Sequence, residues 1–399
     1  MRHNHHHHHH YPLFLPLLLL LLLVKKNQAL DSITTVPPDK HDAAAASSTP
    51  TTRVVFGSCH KTKYKHDLVW KNIHAEKPHI FLWSGDAVYT DKKQRQINGS
   101  LYALKKAYEN MTHSKSPYTS LLQSNPSLIV EGTWDDHDYG ENDGGLYVEE
   151  KDTRQTYFLN FLNISKESPR RKRKGVYSSH RYLIPCTSSP NPHILDVIFL
   201  DTRSFRDDHL IRSIGGTSIP LGAVLSTFTR LLEATYSYLT GFTHSGDVLG
   251  EQQWKWLEKE LKQEKGADVT LVVSSIQVLT KNPMVESWMH FPKAKERLLS
   301  LLSLLSKTKT KSKNLFLISG DVHYGEMMTV NNENNEVREI TSSGLTHSCA
   351  DPVWGRLCPL IHALFGQKRA TVQKNYGTLE GMHLNIFHNF YYLLFAVVI

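Results

Sequence analysis

The stretch "TWDDHDYGENDGG", residues 133–145, holds five carboxylates (Asp135, Asp136, Asp138, Glu141 and Asp143) and one imidazole, His137. Like charges packed this closely disfavour one another's ionised forms. Either a cation sits among them or the stretch is a solvated acidic loop. Three more short stretches carry groups of the same kind. "GSC" offers the Cys59 thiolate, "GDAVY" offers Asp86 and Tyr89, and "GDVH" offers Asp321 and His323.

Carboxylates suit hard cations, whereas thiolate and imidazole suit zinc or iron. A mixed set with one Asp placed to bridge suits a two-metal site, which clamps the attacking and leaving oxygens of a phosphoryl displacement. Taken singly each group has a plainer reading. An isolated buried Cys is usually a small hydrophobe, "GD" after a strand is common, and a Tyr three after an Asp is most often packing. What gives the set weight is that each stretch follows an expected strand.

The elements expected to position these groups read as follows. Strands are expected at 53–56, 79–83, 127–131, 195–200, 268–274, 314–319, 326–330 and 337–341, short apolar runs rich in β-branched residues. Helices are expected at 66–77 (Val69, Trp70 and Ile73 on one side), 250–265 (Trp254, Leu257 and Leu261 on one stripe) and 292–305, which opens on Pro. Strand–helix alternation implies an α/β layered domain. Ligand sites in such sheets collect beyond the carboxyl ends of strands, so the polar stretches should converge on one crevice.

The chain has 399 residues, 40% apolar and 21% charged, enough for a sizeable core. Its net charge of +8 is partly local, in "RRKRK" (170–174) and "KTKTKSK" (307–313). These are either solvated loops or a surface that gathers anionic substrates. No aromatic-interleaved basic stripe or zinc-finger spacing supports nucleic-acid readout.

The organisation we expect is a signal-like segment with a His run at 1–30, a flexible linker at 31–52, a catalytic domain at 53–381 and an apolar tail at 382–399. Pro12 to Val24 has the length of a signal-peptide core and is too short for an ordinary membrane span. Lys25 and Lys26, and the lack of an A-x-A pattern before Ala29, keep a signal anchor or an organelle transit peptide beside secretion. Sequons at Asn98, Asn110 and Asn163 fit a secreted glycoprotein. Of four cysteines, Cys349 and Cys358 are close enough to bridge in an oxidising compartment.

The order GSC, GDxxY, WDDHD, GDVH resembles the alkaline phosphatase D (PhoD-like) branch of the calcineurin-like metallophosphatases. "FLDTRSFRD" (199–207), "LGEQQWKWLEKEL" (249–261), "VESWMHFP" (285–292) and "NYGTLE" (375–380) extend the resemblance over Arg53 to Glu380. It implies a four-layer αββα sandwich that hydrolyses phosphate esters with a metal-bound hydroxide at a two-metal site. By position, Cys59, Asp86 (bridging), Tyr89, Asp136, Asp321 and His323 would be metal ligands. His137 would protonate the leaving oxygen and Asp138 would orient its imidazole; a neighbouring carboxylate or phosphate raises the pKa of such a ring, and a charged pair on a loop is the plainer reading of His137. The implied metals are Fe(III) at the first site, favoured by thiolate and phenolate, and Ca, Mg or Mn at the second.

Arg203 is expected either to grip the substrate phosphate or to tie two loops together. Gln277 stands where the family has a lone His after the fifth strand, as a weak ligand or water-positioning group. His60 reads as a bystander. The substrate would be a small-molecule, lipid or polymer phosphate ester. A metallophosphatase fold that binds or regulates with little turnover is the alternative, and a nucleic-acid-processing enzyme a further rival. The tail after "NYGTLEG" departs from the family pattern. It reads as an edge strand, a lipid-anchor signal or an altered terminus.

Overall fold

The computed structural model describes residues 52–62, 67–90, 92–184, 191–213, 222–262, 266–306, 314–332, 335–351, 358, 370–380 and 395–397. The signal-like segment, most of the linker and the "KTKTKSK" run lie outside them.

Among the described residues twelve strands form two mixed sheets. They are β1 (Arg53–Gly57), β2 (Ile80–Ser84), β3 (Ile129–Thr133), β4 (Ser178–Ile184), β5 (His193–Phe199), β6 (Val269–Val273), β7 (Asn314–Ser319), β8 (Gly325–Asn332), β9 (Asn335–Ser342), β10 (Ala370–Thr371), β11 (Asn375–Glu380) and β12 (Phe395–Val397). One sheet has the order β12-β11-β1-β2-β3 and the other β10-β8-β9-β7-β6-β5-β4. Within the first, β1, β2 and β3 run parallel. Within the second, β5, β6, β7 and β9 run parallel.

The period-2 alternation of a strand sorts the side chains into layers. Val54, Phe56, Ile80 and Leu82 of the first sheet meet Leu195, Val197, Phe199, Leu271, Val273, Phe316 and Ile318 of the second in one core between the sheets. The opposite face of β1 and β2, Val55, Phe81 and Trp83, packs under Val69, Trp70 and Ile73 of the Asp67–Ala75 helix. On the far side Ile198, Val272 and Leu317 lie against Trp254, Leu257 and Leu261 of the Gly250–Lys262 helix, and Leu298 and Leu302 of the Pro292–Ser306 helix. The layers are therefore helix, sheet, sheet, helix, the expected αββα sandwich.

Several local readings change. Additional helices form at Lys92–Asn98, Ser100–Met111, Pro117–Ser124, Lys151–Phe161 and Gly222–Thr240. The "RRKRK" run is not simply solvated. Arg170 pairs with Glu131 at 2.8 Å, and the Arg173 guanidinium lies 4.0 Å from the Tyr177 ring centroid. Cys349 and Cys358 form a disulfide. Of the readings open for the tail, the edge strand fits Phe395–Val397, which pairs antiparallel with β11. Among the described residues no helix is long and apolar enough to cross a membrane.

Candidate metal centre

The parallel strands of both sheets end at one edge. Thr133 Oγ1, closing β3, donates to the Leu200 carbonyl after β5 at 2.6 Å. Ser58 Oγ, after β1, donates to the Ser342 carbonyl closing β9 at 3.2 Å. Beyond that edge the polar stretches converge. Gly320 leaves room for this, since a Cβ there would lie 2.5 Å from Ser58 Oγ and 2.6 Å from the Ser84 carbonyl.

The donors sit on strained backbone. Cys59, Asp86, Asp321 and His323 all have positive φ, at 63°, 52°, 69° and 62°. That region disfavours side chains and persists where surroundings over-determine it, typically at functional sites. Each stretch leaves its strand by a left-handed turn, which aims the side chain across the sheet edge.

Asp86 is central. Its Oδ2 accepts the Tyr89 hydroxyl at 2.5 Å and the Cys59 thiol at 3.6 Å, and its Oδ1 accepts the His137 backbone N–H at 3.2 Å. One oxygen each from Asp86, Asp135, Asp136 and Asp321 lies within 4.8 Å of the others. A second grouping joins Asp86 and Asp136 to the His137 ring. Cys59, Asp86, Asp135 and Asp136 are buried, while Tyr89, His137, Asp321 and His323 are half-buried and form a rim. The rim rings are linked. Tyr89 lies 3.9 Å from His137 and 5.2 Å from His347, which lies 4.4 Å from His323 (centroid distances).

Electrostatics favour a cation here. Burial, then Asp136, Asp135, Asp138 and Asp321, push Asp86 well above the usual carboxylate range. Burial, then Asp135, does the same to Asp321. Burial lifts Asp135 to about 7 despite Arg203. Burial would also lift Asp136, but His137 and Arg203 outweigh it and hold it low. Burial, then Asp86, raises both Cys59 and Tyr89. Oδ2 of Asp135 and Oδ1 of Asp136 are buried without a hydrogen-bond partner. Buried acceptors of this kind need a donor or a metal, so the residues present fit a bound cation.

Two expected roles, those of Gln277 and Asp138, are corrected, and of the two readings open for Arg203 the loop tie fits. Arg203 is fully buried beneath the carboxylates, bonded to Asp135 at 2.5 Å and to Glu286 at 2.7 Å. It is the loop tie, because two carboxylates already occupy its fork. Gln277 is turned away, its amide donating to Glu326 and Thr341 and accepting from Tyr324. Asp138 accepts the backbone N–H groups of Val88 and Asp135 at 3.1 and 3.0 Å. Those bonds fix the loop rather than the imidazole. The expected rise in the His137 pKa is also reversed, since burial outweighs Asp136 and brings it to about 4. His60 is the bystander expected, accepting from Trp70 Nε1 at 3.2 Å.

Sequence reasoning did not assign Asp135, His347 or Lys61. His347 follows β9, so the rule that found the other stretches applies to it. Lys61 Nζ lies 4.4 Å from the Tyr89 ring centroid and is the cation at the rim that Arg203 is not.

A four-layer αββα sandwich with a carboxylate, thiol and imidazole cluster beyond its strand ends is the layout expected of a metallophosphatase-type domain. Residues 192–363 match the sequence model of a family described as PhoD-like phosphatase. The match includes Asp321 and His323 but begins after Cys59, Asp86 and the 133–145 stretch. A solved structure described as "Structure of PhoD" is similar, with a TM-score of 0.53 and 15% identity, covering 84% of this chain and 64% of that one. This chain thus spans less than two thirds of that protein's length. GAP50, the anchor in the inner membrane complex of Plasmodium, is 11% identical, with a TM-score of 0.42 over 83% of this chain and 81% of that one. That likeness carries no argument. No curated protein matches the chain at a significant level. Residues 192–363 thus carry the PhoD-like phosphatase sequence pattern, and the fold of the chain is similar to that of PhoD.

Proposed function

We propose that the chain hydrolyses phosphate esters at a two-cation site, with the reacting phosphoryl group held over the rim formed by Tyr89, His137, Asp321 and His323. The observation that carries this is the approach of four carboxylates to one point, with Cys59 and Tyr89 on the same Asp86 oxygen. Two cations there would neutralise the phosphoryl oxygens and supply a hydroxide nucleophile near neutral pH. Asp86 would bridge the ions. Cys59 and Tyr89 would hold the first, which suits Fe(III). Asp136, Asp321 and His323 would favour Ca, Mg or Mn at the second. Lys61 would meet the incoming anion. His137 would donate a proton to the ester oxygen as the P–O bond breaks. Its low pKa means that the phosphate's negative charge must bring the proton onto the ring.

A second reading, binding without much turnover, draws on Gln277, whose engaged amide leaves the second ion short of a ligand. Secretory or extracellular residence is consistent with the disulfide and with the exposed sequons at Asn98, Asn110 and Asn163. Release of phosphate from aryl mono- and diesters, with metals added singly and in pairs, tests the function. We expect activity to need metal and to vanish in Asp86→Asn. An inactive chain that still binds metal and phosphate would favour the second reading.

A further inference from the structure

A second group of unspent ligands lies away from the strand-end cluster. His209 follows β5, Glu233 sits on the Gly222–Thr240 helix, and His290 closes the Trp288–His290 turn. All three are buried, His209 at 6% exposure, Glu233 at 2% and His290 at 4%. One ligand atom from each lies within 4.8 Å of the other two. None of them belongs to the carboxylate cluster.

Hydrogen bonding accounts for only part of this group: the Ile211 backbone N–H donates to Glu233 Oε2 at 3.4 Å. His290 Nε2 lies 3.1 Å from the Val285 carbonyl, which can only accept. A ring proton is therefore on Nε2, and Nδ1 faces Glu233 Oε1 at 3.6 Å. His209 Nδ1 stands 3.7 Å from the other Glu233 oxygen, and its Nε2 3.7 Å from Glu286 Oε1. Neither His209 nitrogen has a hydrogen-bond partner. Burial keeps this imidazole neutral, with a pKa of about 3.

Two imidazole nitrogens thus face one buried carboxylate, at 3.7 and 3.6 Å. A shared proton would draw a nitrogen and an oxygen to about 2.7–2.9 Å. A tetrahedral ion with bonds of about 2.0–2.1 Å would hold its ligands roughly 3.4 Å apart, close to each of the two nitrogen–oxygen separations. The Val285 carbonyl on His290 is also the outer partner that ligating imidazoles usually have.

We propose that His209, Glu233 and His290 hold a structural divalent cation of the zinc type. Two imidazoles and one carboxylate select zinc over calcium or magnesium. The ion would tie the Gly222–Thr240 helix to the segment after β5 and to the turn ahead of the Pro292–Ser306 helix. It stands independently of the phosphatase reading.

Zinc is counted in the full chain carrying Asp86→Asn and Asp136→Asn, which disables the carboxylate cluster while Asn tolerates the positive φ at 86. Residues 5–10 are histidines that bind zinc themselves, so the reading is a difference between chains that share them. We expect one equivalent of zinc fewer when Glu233→Gln or His209→Gln is added. Equal zinc in all three chains overturns the proposal. Should a variant fail to fold, anomalous diffraction at the zinc edge from crystals of the unsubstituted chain grown with zinc decides. A peak among His209, Glu233 and His290 supports the site. No peak there overturns it and leaves an imidazolium–carboxylate contact.

Discussion

The Tyr89 hydroxyl donates to Asp86 Oδ2 at 2.5 Å, the same oxygen that the Cys59 thiol approaches at 3.6 Å. In the metal-free chain this arrangement stores two protons beside a buried carboxylate. If ferric iron displaces both protons, phenolate and thiolate donate charge to it and the protein is coloured. Tyr89→Phe should shift or bleach that visible band. Cys59→Ser should alter it and weaken iron binding, because a hydroxyl replaces a thiolate. A colourless, iron-free and fully active preparation would end the ferric assignment.

Asp86→Asn should lower metal content at both positions, since one carboxylate serves both ions. Elemental analysis beside the activity assay checks this. Loss from one position alone would argue that Asp86 does not bridge.

His137→Ala should retain metal and slow hydrolysis of poor leaving groups by about a hundredfold or more. Esters of acidic phenols, which leave without a proton, should be much less affected. An equal loss across a leaving-group series would remove the general-acid role.

Arg203→Met should act on stability rather than on KM. It strips a partner from Asp135 and Glu286 inside the protein, and breaking such a buried pair costs about 3–5 kcal/mol. Denaturant unfolding measures this. A stable variant with raised KM would restore the substrate-contact reading.

Stability of the metal-free chain should fall as pH rises from about 6.5 to 8. Burial sets Asp135 near 7 and Asp138 near 8, with Asp86 and Asp321 well up, against about 3.9 unfolded. The folded state therefore holds more protons than the unfolded state, and raising pH removes that advantage. Below about 6.5 the depressed His137, His209 and His323 work in the opposite sense. Added metal should flatten the slope, because the carboxylates then ionise against a cation. A chelated sample with a higher Tm at pH 8 than at 6.5 would contradict this.

Much of the layering was legible because β2 and β6 are buried on both faces and β1 and β7 carry apolar runs, while β5 breaks its run only at Asp196. β4, "SSHRYLI", escaped notice because it is an edge strand whose residues alternate with polar ones. The convergence of Cys59, Asp86, Asp136 and Asp321 could be expected, since each follows a parallel strand. Which way a side chain turns there could not. Arg203 meets Asp135 and Glu286, 68 and 83 residues away, and Gln277 meets Glu326 and Thr341. Those partnerships depend on register between strands, which no local pattern carries.

Positive φ at Cys59, Asp86, Asp321 and His323 has an evolutionary side. Each costs the folded chain on the order of 1–3 kcal/mol, and glycine would relieve it. Stability and ligand supply therefore pull in opposite directions at the same four codons. A library selected for heat resistance alone should accumulate glycine or asparagine there and lose metal, whereas one selected for catalysis should keep the strained residues and find compensating changes elsewhere.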